Sequence, residues 1–208
     1  MIRNNNFTKT LFTVGHSTHE LSEFLSLLER HRISAVADVR SQPYGRFTPH
    51  FNRESLQASL KLAGIHYVFL GTELGARRSE RECYLDGKAR YELIAKSPAF
   101  VAGLSRIRSG IANSRIALMC AEKDPLTCHR TILVCHALRC DELDIQHILA
   151  DGSLESMNDA ETRLLDILGI PAEDLFRTRE EILEEAYQRQ GERIAYSDSK
   201  MEEESTLR

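Results

Sequence analysis

Short β-favouring runs alternate along this chain with segments whose apolar residues recur at helical spacing, and that alternation narrows the architecture more than any other feature. Thr10-Leu11-Phe12-Thr13-Val14 stops at Gly15-His16-Ser17, and Leu21, Phe24, Leu25 and Leu28 then share one helical face. Ser34-Ala35-Val36-Ala37-Asp38-Val39 is apolar on both faces, as a buried parallel strand is. A polar, proline-containing stretch from Arg40 leads to Asn52, the expected N-cap of a helix carrying Leu56, Leu60 and Ala63 to Gly64. Residues 66–70, 115–120 and 145–149 read as further strands. Helical pattern covers 89–95, 98–107 and 161–168, and another helix is expected to start near Thr127. The charged stretch from Thr72 to Lys88 reads as a long irregular loop. Strands separated by helices predict an α/β fold: a three-layer, mostly parallel sheet with helices on both faces, Rossmann-like. Residues 1–170 are assigned to this domain and 171–196 to a C-terminal helical extension, in which Leu175, Phe176, Ile182, Leu183, Ala186 and Tyr187 suit one amphipathic helix. Residues 197–208 offer almost nothing to bury and are expected to form a disordered tail.

Composition narrows the function classes. Among 208 residues, 31 acidic side chains against 27 basic ones leave a net charge of −4, which excludes a dedicated DNA packer. A basic cleft in such a chain can still attract an anion. No apolar run is long enough to span a membrane, and no secretory leader is recognisable, so no membrane partner is expected. The five cysteines lack the spacing of a secreted framework, which points to a reducing cytoplasm.

Ligands of open α/β sheets bind beyond the carboxyl ends of the strands. Those ends carry Gly15, His16 and Ser17; then Asp38, Arg40, Ser41 and Arg46; then Arg77 and Arg78; and last the run Cys120 to Arg130. That last run is the densest. Thr127, Cys128 and His129 at a helix start would meet free backbone N–H groups, a field that favours anions and lowers a thiol's pKa. His129 and Arg130 push the same way, and Arg130 offers a planar fork for phosphate. Cys120 at a strand end reads first as a small core residue, and Cys135 and Cys140 as core or inert. Arg40, Arg46, Arg77 and Arg78, interleaved with Tyr44, Phe47 and Phe51, suit phosphates and stacked bases, or are solvated loop arginines.

Four segments carry a resemblance. Thr13-Val14-Gly15-His16-Ser17, Asp38-Val39-Arg40-Ser41 with Pro43 and Arg46, Tyr67 to Arg78 containing Glu73-Leu74-Gly75, and Met119-Cys120-Ala121-Glu122 with Pro125 and Cys128-His129-Arg130 together resemble the DUF488 family, over roughly Leu11 to Leu168. The resemblance implies an α/β domain with these motifs around one cleft, and it supplies no reaction.

Three functions are therefore expected to compete. The first is an enzyme on an anionic small molecule or nucleic-acid component. In it Cys128 is the nucleophile or redox thiol, His129 and His16 handle protons, and Glu122 orients or acts as a base. Arg40, Ser41, Arg46, Arg78, Arg130, Thr127, Gly15 and Ser17 bind the substrate. The second is a non-catalytic nucleotide or nucleic-acid-binding module with the same arginines. The third is a metal or iron–sulfur protein using Cys120 and Cys128, although neither C-x2-C nor H-x3-H spacing is present. No cofactor or metal is required by the first reading.

Overall fold

The computed structural model of the chain describes residues 9–140 and 142–198. The amphipathic segments resolve into β1 (Lys9–Gly15), α1 (Leu21–Arg30), β2 (Ala35–Asp38), α2 (Arg53–Leu62), β3 (His66–Phe69) and the single turn α3 (Gly71–Leu74). A small hairpin follows, β4 (Tyr84–Leu85) and β5 (Lys88–Ala89), then α4 (Tyr91–Ile94), α5 (Pro98–Ile111) and β6 (Ile116–Cys120). A π-wound segment, Arg130–Cys135, runs into α6 (His136–Leu138), followed by β7 (Leu143–Ile148), β8 (Leu154–Ser156), α7 (Met157–Leu168) and α8 (Arg179–Ile194).

The six-stranded sheet has the order β3-β2-β6-β1-β7-β8, parallel except for the antiparallel edge strand β8. β6 is buried at every position because it has strands on both sides and helices on both faces. Phe24, Leu27 and Leu28 of α1 and Leu56 and Leu60 of α2 pack with Phe12, Val14, Val36, Ala117 and Met119 on one face. The other face joins Leu11, Ala37, Leu118 and Ile145 to Phe100, Leu104 and Ile107 of α5, Leu164 of α7 and Ile182 of α8. This is the three-layer α/β arrangement expected from the sequence. The connections from β1 and β2 pass over one face, while those from β3 and β6 return over the other. The crevice that this reversal opens lies at the carboxyl end of β6, between β1 and β2.

Several local readings are corrected. Asn52 precedes α2, but its side chain does not cap the helix; its Oδ1 accepts from Gly45 N at 2.8 Å and folds the preceding loop back on itself. The segment from Thr72 to Lys88 is not irregular throughout, since it holds most of α3 and the β4–β5 hairpin. β8 escaped notice because three residues are too few to show a period. Leu175 and Phe176 do not join the last helix. They stand 94% exposed before it, because the capping box of Thr178 and Glu181 starts α8 at Arg179. Ser197 and Asp198 are held against the hairpin, Ser197 by a bridge to Lys88 and Asp198 by its N–H to Gly87 O at 2.8 Å. Residues 199–208 of the expected tail lie outside the described residues. No described helix is long and apolar enough to cross a membrane.

Candidate functional site

Backbone contacts fasten the strand ends together before any side chain acts. His16 N and Ser17 N donate to Cys120 O and Ala121 O at 2.9 and 2.8 Å, so the chains leaving β1 and β6 run as one ribbon. Ser17 takes a left-handed conformation, φ 47°, to turn out of it. A side chain on Gly15 would overlap the Glu122 carbonyl, so glycine lets the Glu122 turn lie directly on β1.

At the end of β2, the fully buried Asp38 carboxylate accepts from Arg40 Nε at 2.9 Å, Arg40 Nη2 at 2.6 Å and Tyr67 Oη at 2.7 Å. Arg40 Nη1 donates to His16 Nε2 at 3.1 Å, and His16 Nδ1–H faces Ser17 O at 3.0 Å. Burial, then the Arg40 charge, lowers the His16 pKa to about 4. His16 is therefore neutral at physiological pH and stacked on Phe51 at 4.3 Å, where it steadies Arg40.

The third strand end holds the thiols. Asp124 accepts from Leu126 N at 2.9 Å and caps the tight turn Pro125–Thr127. Cys128 follows in an extended conformation, and its carbonyl accepts from Thr131 N and Ile132 N. The π-wound helical segment thus begins at Arg130 rather than near Thr127, and Cys128 sits just ahead of it with its sulfur accepting from Arg130 N at 3.4 Å. His129 Nε2 donates to Val39 O at 3.0 Å, which aims Nδ1 at both sulfurs, 3.7 Å from Cys120 Sγ and 4.0 Å from Cys128 Sγ. Cys128 Sγ also lies 3.0 Å from Glu122 Oε2.

Arg130 lies behind this group, fully buried, donating to Glu122 O at 2.7 Å, Lys123 O at 3.3 Å and Thr13 Oγ1 at 3.4 Å. Burial alone would raise the Cys128 pKa, but the Cys120 hydrogen bond, the Arg130 charge and His129 bring it well below the ordinary thiol value. Cys120 is pushed well up, by burial first and then by Cys128 and Glu122. For His129 burial is the largest single influence and lowers the pKa, but the bond to Cys128, the Cys128 charge, the bond to Val39 and the Glu122 charge together raise it.

A cavity of about 360 Å³ opens over the group, lined by Arg40, Ser41, Tyr44, Arg77, Tyr91, Cys120, Glu122, Thr127, His129 and Tyr196 among others. Of the residues expected from sequence, Arg40, Ser41, Glu122, Thr127 and His129 are thus on one wall. Cys128 is behind it, and Cys120 is the thiol that faces the cavity. Gly15, Ser17, His16 and Arg130 support the wall from outside. Arg46 is exposed over the Phe47 ring at 5.0 Å, and Arg78 ties its own loop together through Thr72 O, Glu73 O and Glu80. Cys135 is core, its thiol pushed up to about 12 by burial, and His136 stacks on Tyr187. Sequence reasoning did not reach Tyr91 or Tyr196. Tyr91 lay inside an expected helix, and Tyr196 reaches the cavity only because the chain after α8 crosses back, with Ala89 N donating to Tyr196 O at 2.9 Å.

One buried histidine near the site links folding to pH. His147 Nδ1 meets Thr13 Oγ1 at 2.8 Å, and its Nε2 has no partner. Burial, then the charges of Arg130 and Arg163, lowers its pKa to about 3. The unfolded chain takes up this proton near pH 6.5 and the folded one only near 3. Stability from His147 is therefore full above 6.5 and falls as pH drops through that window, by as much as about 5 kcal/mol. His147→Asn is expected to reduce the pH dependence of unfolding free energy between pH 6 and 4 by about one proton. Urea titrations with an unchanged slope would assign that proton elsewhere.

Comparison with known proteins adds one finding. No curated protein and no solved structure gives a match to the chain. The family described as "Domain of unknown function DUF488" matches residues 20–137, a span that runs from the start of α1 through the whole Cys120–Arg130 segment, and the chain belongs to that family.

Proposed function

We propose that the protein is a cytoplasmic enzyme acting on an anionic, nucleotide-like substrate held in the cavity over β6, with the Cys120, Cys128 and His129 group at the reacting end. One observation carries the reading: the exposed guanidinium of Arg77 and the thiol–imidazole group line the same cavity of about 360 Å³. That volume suits a small molecule. Arg77 rests over the Tyr196 ring at 4.6 Å and its Nη1 donates to Gln42 Oε1 in a long, exposed bond of 3.3 Å that a phosphate can replace, while Tyr44 and Tyr91 add aromatic surface for a base. Arg40, neutralised by Asp38, supplies a directed donor without net charge. Free rather than paired cysteines among the described residues fit a reducing compartment.

The binding half is tested by titrating ribonucleoside mono- and triphosphates and inorganic phosphate at two salt concentrations. Wild type is expected to bind at least one nucleotide, more weakly in high salt, and Arg77→Ala to lose at least tenfold in affinity. No binding by wild type at millimolar ligand overturns the reading. A nucleotide-binding module without chemistry would use the same arginine and tyrosines. Product analysis of the bound nucleotide with Cys120→Ser separates the two: turnover lost with binding retained supports the enzyme, and binding without turnover in wild type favours the module.

A further inference from the structure

We propose that Cys120, Cys128 and His129 form a three-ligand site for a divalent zinc-class metal ion, with its remaining coordination position turned toward the cavity. The inference deepens the enzyme reading by supplying a cofactor at the same wall, but it is tested by metal binding alone.

The geometry points this way on four counts. First, Cys120 Sγ, Cys128 Sγ and His129 Nδ1 all lie within 4.8 Å of one another. Ligands of one tetrahedral zinc, at about 2.3 Å for sulfur and about 2.0 Å for nitrogen, sit about 3.6 Å apart across an S–N edge. The two S–N separations, 3.7 and 4.0 Å, need only a small contraction to reach it. Second, the imidazole is oriented by its far nitrogen on a backbone carbonyl, Nε2 to Val39 O at 3.0 Å, the outer bond that metal-ligating histidines keep.

Third, charge balances. Two buried thiolates and the exposed Glu122 carboxylate beside them face one buried guanidinium, Arg130, and a divalent cation offsets the excess negative charge. Fourth, Cys120 and His129 line the cavity while Cys128 lies behind them, so an ion between the three is approachable from the cavity side. Three protein ligands and one approachable position are the arrangement of a catalytic rather than a structural zinc. The ligands come as Cys-x7-Cys-His, with adjacent residues turned onto one ion, which is why no familiar spacing marks the site in the sequence.

The test is a cobalt(II) titration of the full-length protein, kept reduced and first stripped with a chelator. One equivalent of cobalt is expected to give the intense visible bands of a tetrahedral site together with sulfur-to-metal charge transfer, and zinc to displace them. Cys120→Ser, Cys128→Ser and His129→Ala are each expected to weaken cobalt binding by at least 100-fold, while Cys140→Ser, an exposed thiol, leaves it unchanged. Since a ligand variant can fail to fold, peptide mapping of wild type supplies a second readout: zinc is expected to protect Cys120 and Cys128, and not Cys140, from alkylation under native conditions. No saturable sulfur-to-metal band in wild type overturns the proposal, as does an undiminished band in the folded Cys128→Ser protein. Arg77→Ala is expected to keep the cobalt spectrum, and a wild-type protein that binds cobalt but no nucleotide would sink the substrate reading alone.

Discussion

Gly15→Ala is expected to destabilise the protein by at least about 3 kcal/mol, or to fold with the Glu122 turn displaced. The added Cβ would overlap the Glu122 carbonyl oxygen and lie 2.9 Å from its carbon, with Arg130 Nη1 at 3.3 Å. Neither partner can yield cheaply. The oxygen belongs to a backbone segment held by Arg130, and Gly15 is itself fixed opposite Cys120 in the parallel ladder. Relief requires moving the segment that carries Glu122, and Cys120 and Cys128 on either side of it would follow. Urea unfolding gives the first outcome, and a fall in cobalt binding by the folded variant gives the second. A variant with wild-type stability and an unaltered metal spectrum would show that the two strand ends are less closely seated than the structure has them.

Arg130→Met is the second large expectation, at about 3–5 kcal/mol. Replacing a buried charge by an apolar chain relieves its desolvation, and where the charge has a partner of opposite sign the exchange can come out neutral or favourable. Here the acceptors facing the guanidinium are two backbone carbonyls and the Thr13 hydroxyl. After the substitution the two part-buried carbonyls lose this donor, whereas Thr13 Oγ1 keeps its contact with His147, and a hydrogen bond to a charged group contributes about 1.5–3 kcal/mol. Two such losses outweigh the relief. Arg130→Lys retains the charge but not the fork, so it is expected to recover less than half of the deficit. Denaturant midpoints of the two variants decide it, and near-equal stability of Arg130→Met and wild type would mean that water takes over the guanidinium's bonds.

The fold was readable because burial on both faces leaves a plain mark: Ile116–Cys120 is apolar throughout, Ala35–Asp38 is apolar up to the carboxylate at its end, and α1 and α2 carry their apolar residues on one side. The placement of chemistry at strand ends followed from topology, which is why Glu122, His129 and Arg40 share a wall. What sequence could not assign was which polar group already has a partner. Arg78 looks like Arg77 in the chain, yet Thr72 O, Glu73 O and Glu80 engage it, while Arg77 faces the cavity with one long bond to Gln42. Cys120 and Cys128 exchanged expected positions for a similar reason, since only the turn capped by Asp124 decides which sulfur lies in front. Tyr196 carries no local signal, because its contribution depends on a return crossing far along the chain.

The position of β6 has a consequence for the order in which the molecule is made. β1 and β2 are consecutive, yet they pair with β6 rather than with each other, and β6 begins only at Ile116. A chain emerging from the ribosome therefore carries two apolar strand edges with nothing between them until that segment arrives, which is a nascent-chain hazard of the kind chaperones attend to. When it arrives, the same strand that zips the sheet carries Cys120 at its tip. The protein has no stage at which the sheet is complete and the thiol end of β6 is still missing.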